Sequence, residues 1–480
     1  MNADRLWTRG ILALGIVLLL VPFTVRVFAG EPLVPGSESY GHLRIAGIIA
    51  GEGFLDHDPA MPERALPWNV FHVLLAGFIL LLGDVTAGLL APFLLGIGTL
   101  WCLFQATRRW NLSKEVARGV QAVFVLSPLF VDAFAQVTPR SLELFMLMLF
   151  LVLIAPGEHS RVLRLLCATL IAALASTFGI VQAAVFIIMP AVARSLRRGV
   201  HQSALISCVV AFIVLITLTL PSYLQEESPA FGQQLPVIRV VSDFGAPSGL
   251  SLFAWLLAFV GLISLWHLKR RYYAAMLASS LALVVALFAP DALVVAQVLV
   301  AFLAGYALAF FAQMRWLFDD IKTLTLFVLV CGLLFSTLAH AVAISQGPPQ
   351  QGMMQAALKI RDDLPKATVI LSNPDDGFLF AYWTGAQVHL DGWLEKTPGV
   401  NERWQSAQAI WHAQDIARVR PLLFKEGIGA LVITEEMRKG KVWELPEQDL
   451  LFLLRNYETF KNVYHSDSVD IWAVKQPGAT

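Results

Sequence analysis

The chain alternates long apolar runs with short polar breaks over most of its length, and then changes character. Apolar segments cover approximately 11–29, 84–107, 116–134, 139–155, 162–179, 180–194, 203–221, 250–267, 272–289, 292–312 and 323–345. A helix of roughly 20 apolar residues spans a bilayer core, so this pattern predicts about eleven spans. The run at 70–83 is shorter and predicts a helix lying in the membrane interface rather than crossing it. The basic start with its apolar run at 11–29 also fits a signal peptide, but the length of the run and the spans after it favour a first membrane helix. After Gln346-Gly347-Pro348-Pro349 the apolar runs stop and charged residues become dense. Short β-type segments (Ala367–Ser372, Gln387–Leu390, Ala430–Thr434, Asp470–Val474) then alternate with helical ones (Met353–Asp363, Ala407–Glu426, Glu447–Tyr457). The expected architecture is a polytopic α-helical membrane domain, 1–346, followed by a mixed α/β domain, 347–480.

Charge sets the orientation. Arg5, Arg9, Arg108, Arg109, Lys114, Arg118, Arg161, Arg164, Arg194, Arg197, Arg198 and Lys269–Arg271 fall in alternate loops. By the positive-inside rule those loops face the cytoplasm. The N-terminus is then cytoplasmic, and the C-terminal domain lies outside the plasma (inner) membrane, on the same face as the long loop 31–69. Counting 70–83 as a span would reverse the Arg108–Arg118 cluster, which supports keeping it interfacial. The composition agrees with membrane residence, with 57% hydrophobic and 15% charged residues and a mean hydropathy of +0.66. A net charge of zero argues against nucleic acid as a partner. Cys102, Cys167, Cys208 and Cys331 all sit in apolar runs and suggest neither disulfides nor a zinc site.

The candidate chemistry lies in the outer segments. The first outer loop holds Glu38-Ser39-Tyr40-Gly41-His42-Leu43-Arg44 and, later, Asp56-His57-Asp58-Pro59. Carboxylates at a membrane surface can ligate a divalent cation or activate an acceptor. Arg and His can hold phosphate. A second outer segment carries Glu226-Glu227-Ser228-Pro229 and Arg239. In the C-terminal domain, Ser372-Asn373-Pro374-Asp375-Asp376-Gly377 reads as a strand-to-turn junction. Asp132 reads as the water boundary of its helix.

Set side by side, these segments resemble the catalytic subunit of oligosaccharyltransferases, within the GT-C class of membrane glycosyltransferases. That family begins with one span and a loop of the form D-x-Y-Y-H-L-R followed by D-P. Glu38–Arg44 and Asp58-Pro59 occupy that pattern. Its later loop has Glu before Pro, as in Glu226 and Pro229, and its outer domain has W-W-D-Y-G where Asn373–Gly377 stands here. The family's acidic pair is replaced by Gln136-Val137-Thr138-Pro139-Arg140. The resemblance implies an inverting transfer of a sugar or glycan from an isoprenoid-phosphate-linked donor to an acceptor outside the membrane. Glu38 would be catalytic, and His42, Arg44 and Arg239 would bind the donor. Glu38, Asp58 and Glu226 would hold a divalent cation such as Mg or Mn, and Asp375, Asp376 and Gly377 would bind the acceptor. The departures leave an alternative open, a non-catalytic GT-C-like scaffold in envelope glycan assembly. A transporter is disfavoured by the lack of an inverted repeat.

Overall fold

The computed structural model describes residues 3–155, 240–265, 292–365, 368–445 and 447–475, except 247, and a few isolated residues between them. The expected spans at 180–194 and 203–221, most of those at 162–179 and 272–289, and the residues Glu226 and Arg239 lie outside the described residues.

Helix α1, Ala3–Ala29, leads into α2, Ser37–Gly51, and then a small antiparallel hairpin, β1 (His57–Asp58) and β2 (Met61–Ala65). Helix α3, Val70–Leu82, has 13 residues. At about 1.5 Å per residue it is too short to cross a bilayer. Gly83, at φ 78°, makes the sharp turn into α4, Asp84–Arg109, a backbone angle that glycine adopts without steric cost. Next come α5, Lys114–Val125, α6, Pro128–Ala135, and α7, Pro139–Ile154. The expected span at 116–134 is therefore broken. Its two halves, α5 and α6, meet at 54°. Pro128 is the cause: it disfavours helical geometry at Ser127 and has no N–H to continue the ladder. Helices α8 (Leu252–Leu265), α9 (Leu293–Gln313) and α10 (Asp319–Gln346) complete the described apolar helices. Among the described residues, four helical stretches are long and apolar enough to cross a membrane, or five if the bent pair is one span.

The residues beyond α10 form helix α11, Gln351–Asp363, and a five-stranded sheet. Its strands are β3 (Val369–Leu371), β4 (Gln387–Val388), β5 (Ile428–Thr434), β6 (Phe460–His465) and β7 (Val469–Val474). Their order is β4-β3-β5-β7-β6, with β4, β3 and β5 mutually parallel and β7 antiparallel to both of its neighbours, β5 and β6. Alternate residues feed two cores, as a two-residue strand period requires. Ile370, Ala430 and Val432 join the core shared with the apolar helices. Leu371, Leu431 and Ile433 join a second core with Trp411, Leu423 and Trp443. The second core is covered by α13 (Val400–Trp411) and α14 (Ile416–Lys425). These two replace the single helix expected over 407–426, because Asp415 caps the second with its side chain on Ala417 N at 2.9 Å. Strand β6 was not expected from the sequence.

The supposed turn at Asn373–Gly377 is the start of helix α12, Pro374–Thr384. Asn373 caps it, Pro374 takes the first helical position, and Asp375 and Asp376 face the positive end of the helix dipole. Helix α12 packs on α2, with Phe378 closely seated against Gly41. The sheet domain and the segment between α1 and α3 are thus built against each other. Backbone pairing repeats the join: Val388 N donates to Ala60 O at 3.0 Å.

Candidate functional site

Helix α2 starts after Pro35-Gly36, and its first turn carries Glu38. Its position is held from the side. Ser39 Oγ donates to Pro35 O at 2.6 Å and accepts from Val137 N at 3.0 Å. That contact brings the loop before α7 beside the start of α2. Glu38 there meets Arg140, with Oε2 3.8 Å from the guanidinium. Arg140 also reaches Asp132 on α6 at 3.3 Å, and Asp132 lies 3.9 Å from His340 on α10. Asp132 is buried and accepts from Gln136 Nε2 at 2.7 Å. Glu38, Arg140, Asp132 and His340 thus form a line of polar side chains across four helices.

Glu38 and Arg140 open into a cleft of about 950 Å³, within the range of small-molecule sites. One wall is α10, with Phe335, Ala339, Ala343 and Ile344. The sheet domain contributes polar lining residues, Asp375, Asp376, Glu436 and Lys441, together with Trp393. Lys441 donates to Asp375 at 2.8 Å and to Glu436 at 3.3 Å. The lining therefore combines apolar residues of α10, together with its Ser336 and His340, with charged residues of the sheet domain and Glu38.

The carboxyls differ in state. Burial works against ionisation of Glu38, but the attraction of Arg140 and the hydrogen bond from His42 outweigh it, holding its pKa down at about 2. Its side chain is about a third exposed (36%). Asp376 goes the other way. Burial dominates there, only partly offset by Lys441, and its pKa rises to about 7.

Several residues expected at the site are elsewhere. Arg44 and Asp58 are buried in a bidentate pair, with Nη1–Oδ1 at 2.5 Å and Nη2–Oδ2 at 2.8 Å. Arg64 bridges Asp58 at 2.7 Å to Asp391, which it grips at 2.9 and 2.6 Å. Neither Arg44 nor Asp58 lines the cleft. Both Arg44 Nη groups are turned onto Asp58, whose lone pairs are all engaged, while Arg44 Nε is buried without a partner, so the pair clasps this loop to the sheet domain. His42 is also buried, with one ring nitrogen on His72 and the other on Glu38, leaving none for a phosphate. Gly377 faces the sheet domain's own backbone. A Cβ there would lie 2.3 Å from Leu390 O, so glycine permits close packing. Asp375 and Asp376 do line the cleft.

Of the three residues expected to hold a divalent cation, Glu226 lies outside the described residues and Asp58 is engaged by Arg44 and Arg64. Among the described residues no group of three or more His, Cys, Asp or Glu is arranged to hold a metal. Glu38 and Asp132 share the guanidinium of Arg140.

Sequence reasoning missed His72, Glu436, Lys441 and Asp391, and assigned no site role to Arg140. Asn69 followed three residues later by His72 has capping-box spacing, and a histidine inside so apolar a helix was a signal. Asp391 and Lys441 come from distant loops and had none.

No protein-family model matches the chain, and no curated protein matches it. Solved structures do. The oligosaccharyltransferase AglB of Archaeoglobus fulgidus, solved with an inhibitory peptide and a dolichol-phosphate, aligns over 99% of this chain and 75% of its own, with a TM-score of 0.64 and 12% identity. ArnT of Cupriavidus metallidurans, solved with undecaprenyl phosphate, aligns over 98% of both chains, with a TM-score of 0.60 and 14% identity. The mycobacterial arabinofuranosyltransferase AftD aligns over 100% of this chain and 42% of its own, with a TM-score of 0.61 and 14% identity. These neighbours are GT-C glycosyltransferases, and this chain is a divergent helical membrane protein with their fold.

Proposed function

We propose that this chain is a GT-C membrane glycosyltransferase that moves a sugar or glycan from an isoprenoid-phosphate donor to an acceptor outside the plasma membrane. The observation that carries the reading is a cleft lined by apolar residues of α10, carboxylates of the sheet domain and an ionised Glu38. An isoprenoid chain suits the apolar wall on α10, and a hydroxyl-rich acceptor suits the carboxylates of the sheet domain. The fold neighbours support the donor class, since AglB and ArnT were solved with dolichol-phosphate and undecaprenyl phosphate.

In this reading Glu38 accepts a hydrogen bond from the attacking acceptor group and takes up its proton as the glycosidic bond forms. Arg140 is the cation that a metal would otherwise supply. It holds Glu38 ionised and offers positive charge where the phosphate leaves. Residues 347–480 form the extracytoplasmic domain, and the N-terminus is cytoplasmic. A second reading, a non-catalytic partner, is favoured by the engagement of both Glu38 and Asp132 with Arg140. Purified protein in liposomes, supplied with radiolabelled undecaprenyl-phosphate sugars and an envelope fraction, separates the two. Label should pass to an acceptor that is not lipid-linked. Failure with every donor tried would leave the partner reading.

A further inference from the structure

Helix α3 contributes a group to the site although none of its residues reaches the cleft. Backbone N–H groups can only donate, and this fixes a whole line of protons. The N–H of Asn69, the cap of α3, donates to His72 Nδ1 at 2.9 Å. His72 Nδ1 therefore carries no proton, and neutral His72 carries it on Nε2. That Nε2–H faces His42 Nδ1 at 2.8 Å, so Nδ1 of His42 is the acceptor. His42 in turn carries its proton on Nε2, which faces Glu38 Oε1 at 3.4 Å. A proton on His42 Nδ1 would set two N–H groups against each other. Both imidazoles are buried, and burial lowers the pKa of each, which agrees with neutral rings.

We infer that His72 is a positioning residue for Glu38, acting through His42 as a one-way hydrogen-bond line that aims and orients the carboxylate. This rests on the reading of Glu38 as the acceptor-facing base. The line has a further consequence. It ends on an amide N–H, which cannot take up a proton, so it holds Glu38 but cannot drain it. The proton that Glu38 accepts leaves through the cleft, which Arg140 lines.

His72→Gln preserves both ends of the line. Its amide oxygen can accept from Asn69 N, as Gln commonly does at this cap position, and its NH2 can donate to His42. His72→Leu removes both. In ¹⁵N-histidine-labelled protein at pH 7, compared with the His42→Gln and His72→Gln variants for assignment, His42 and His72 should both be neutral with the proton on Nε2. A cationic His42, or one protonated at Nδ1, overturns the inference. ¹³C titration of the Glu38 carboxyl should then move upward in His72→Leu and stay in place in His72→Gln. An unmoved Glu38 in a folded His72→Leu protein also overturns it. These readouts need no activity, so they stand apart from failure of the transferase reading. If transfer is observed, kcat should fall roughly tenfold or more in His72→Leu, the scale of one hydrogen bond to a charged group, with KM unchanged and rate restored by Gln.

Discussion

Removing the Asp58 carboxylate should destabilise the join between the segment linking α1 to α3 and the sheet domain, not the chemistry. Asp58 has no solvent exposure, and it accepts from both Arg44 nitrogens, from Arg64 and from Ala60 N at 3.0 Å. Asp391 accepts from Arg64 and from Trp393 N at 3.1 Å. Two carboxylates and two guanidiniums leave the buried group neutral. Asp58→Leu leaves one positive charge buried and unpaired, at a cost of about 3–5 kcal/mol. Arg44→Met in the same chain restores neutrality and leaves the bidentate Arg64–Asp391 pair intact. Replacing a buried ion pair by apolar groups is often nearly neutral, so the double variant should recover most of the loss, a coupling of roughly 2–4 kcal/mol. Detergent-solubilised protein, unfolded by denaturant and followed through its tryptophans, measures all four corners of the cycle. Acid gives an independent reading. The pKa of Asp58 is about 2, because burial, which raises it, is outweighed by Arg44 and Arg64. Its stabilisation is therefore present above the unfolded value of 3.8 and lost as pH falls from there through about 2. A mild effect of Asp58→Leu, or a double variant as unstable as the summed singles, would refute the clasp.

Arg140→Gln should raise the Glu38 pKa and bring an acid limb into the pH–rate profile where the wild type has none above about pH 4; a profile of unchanged shape would show that Arg140 does not set the charge state. Asp376 has a raised folded pKa of about 7, so its protonated state stabilises the fold fully below 3.8 and that contribution disappears as pH rises through 7. Asp376→Asn should flatten the stability curve between those values and stabilise the protein at pH 8, as read by thermal unfolding; an unchanged slope would contradict it.

The helical membrane architecture was legible because the apolar runs are long and the basic loops alternate. The break at Pro128 was legible too, from Ser127-Pro128 inside a run long enough to pass as one span. So was the start of α12, where Asn373, Pro374 and two acids follow the rules for a helix N-terminus. Reading them as a turn gave too much weight to Asp and Gly. The site was legible only where its groups are local. Glu38 stands in the polar stretch after the first apolar run, in the first turn of α2, and does line the cleft. The pairing of Arg44 with Asp58 was hidden because residues 14 apart in sequence become partners only once the β1–β2 hairpin folds back. The fourth member, Asp391, is 327 residues from Arg64. A charged residue in a loop is equally compatible with catalysis and with a buried clasp until its partners are known. Arg140 shows the same limit, because its roles depend on α2 and α6 meeting beside it.

The most direct test of the central claim is single-turnover transfer from a labelled undecaprenyl-phosphate sugar by wild type, Glu38→Gln and Glu38→Asp in matched liposomes. The account predicts a loss of at least about 100-fold in the Gln variant, the usual scale for a general base, with donor binding retained and partial activity in Asp. Transfer by Glu38→Gln at the wild-type rate would contradict it.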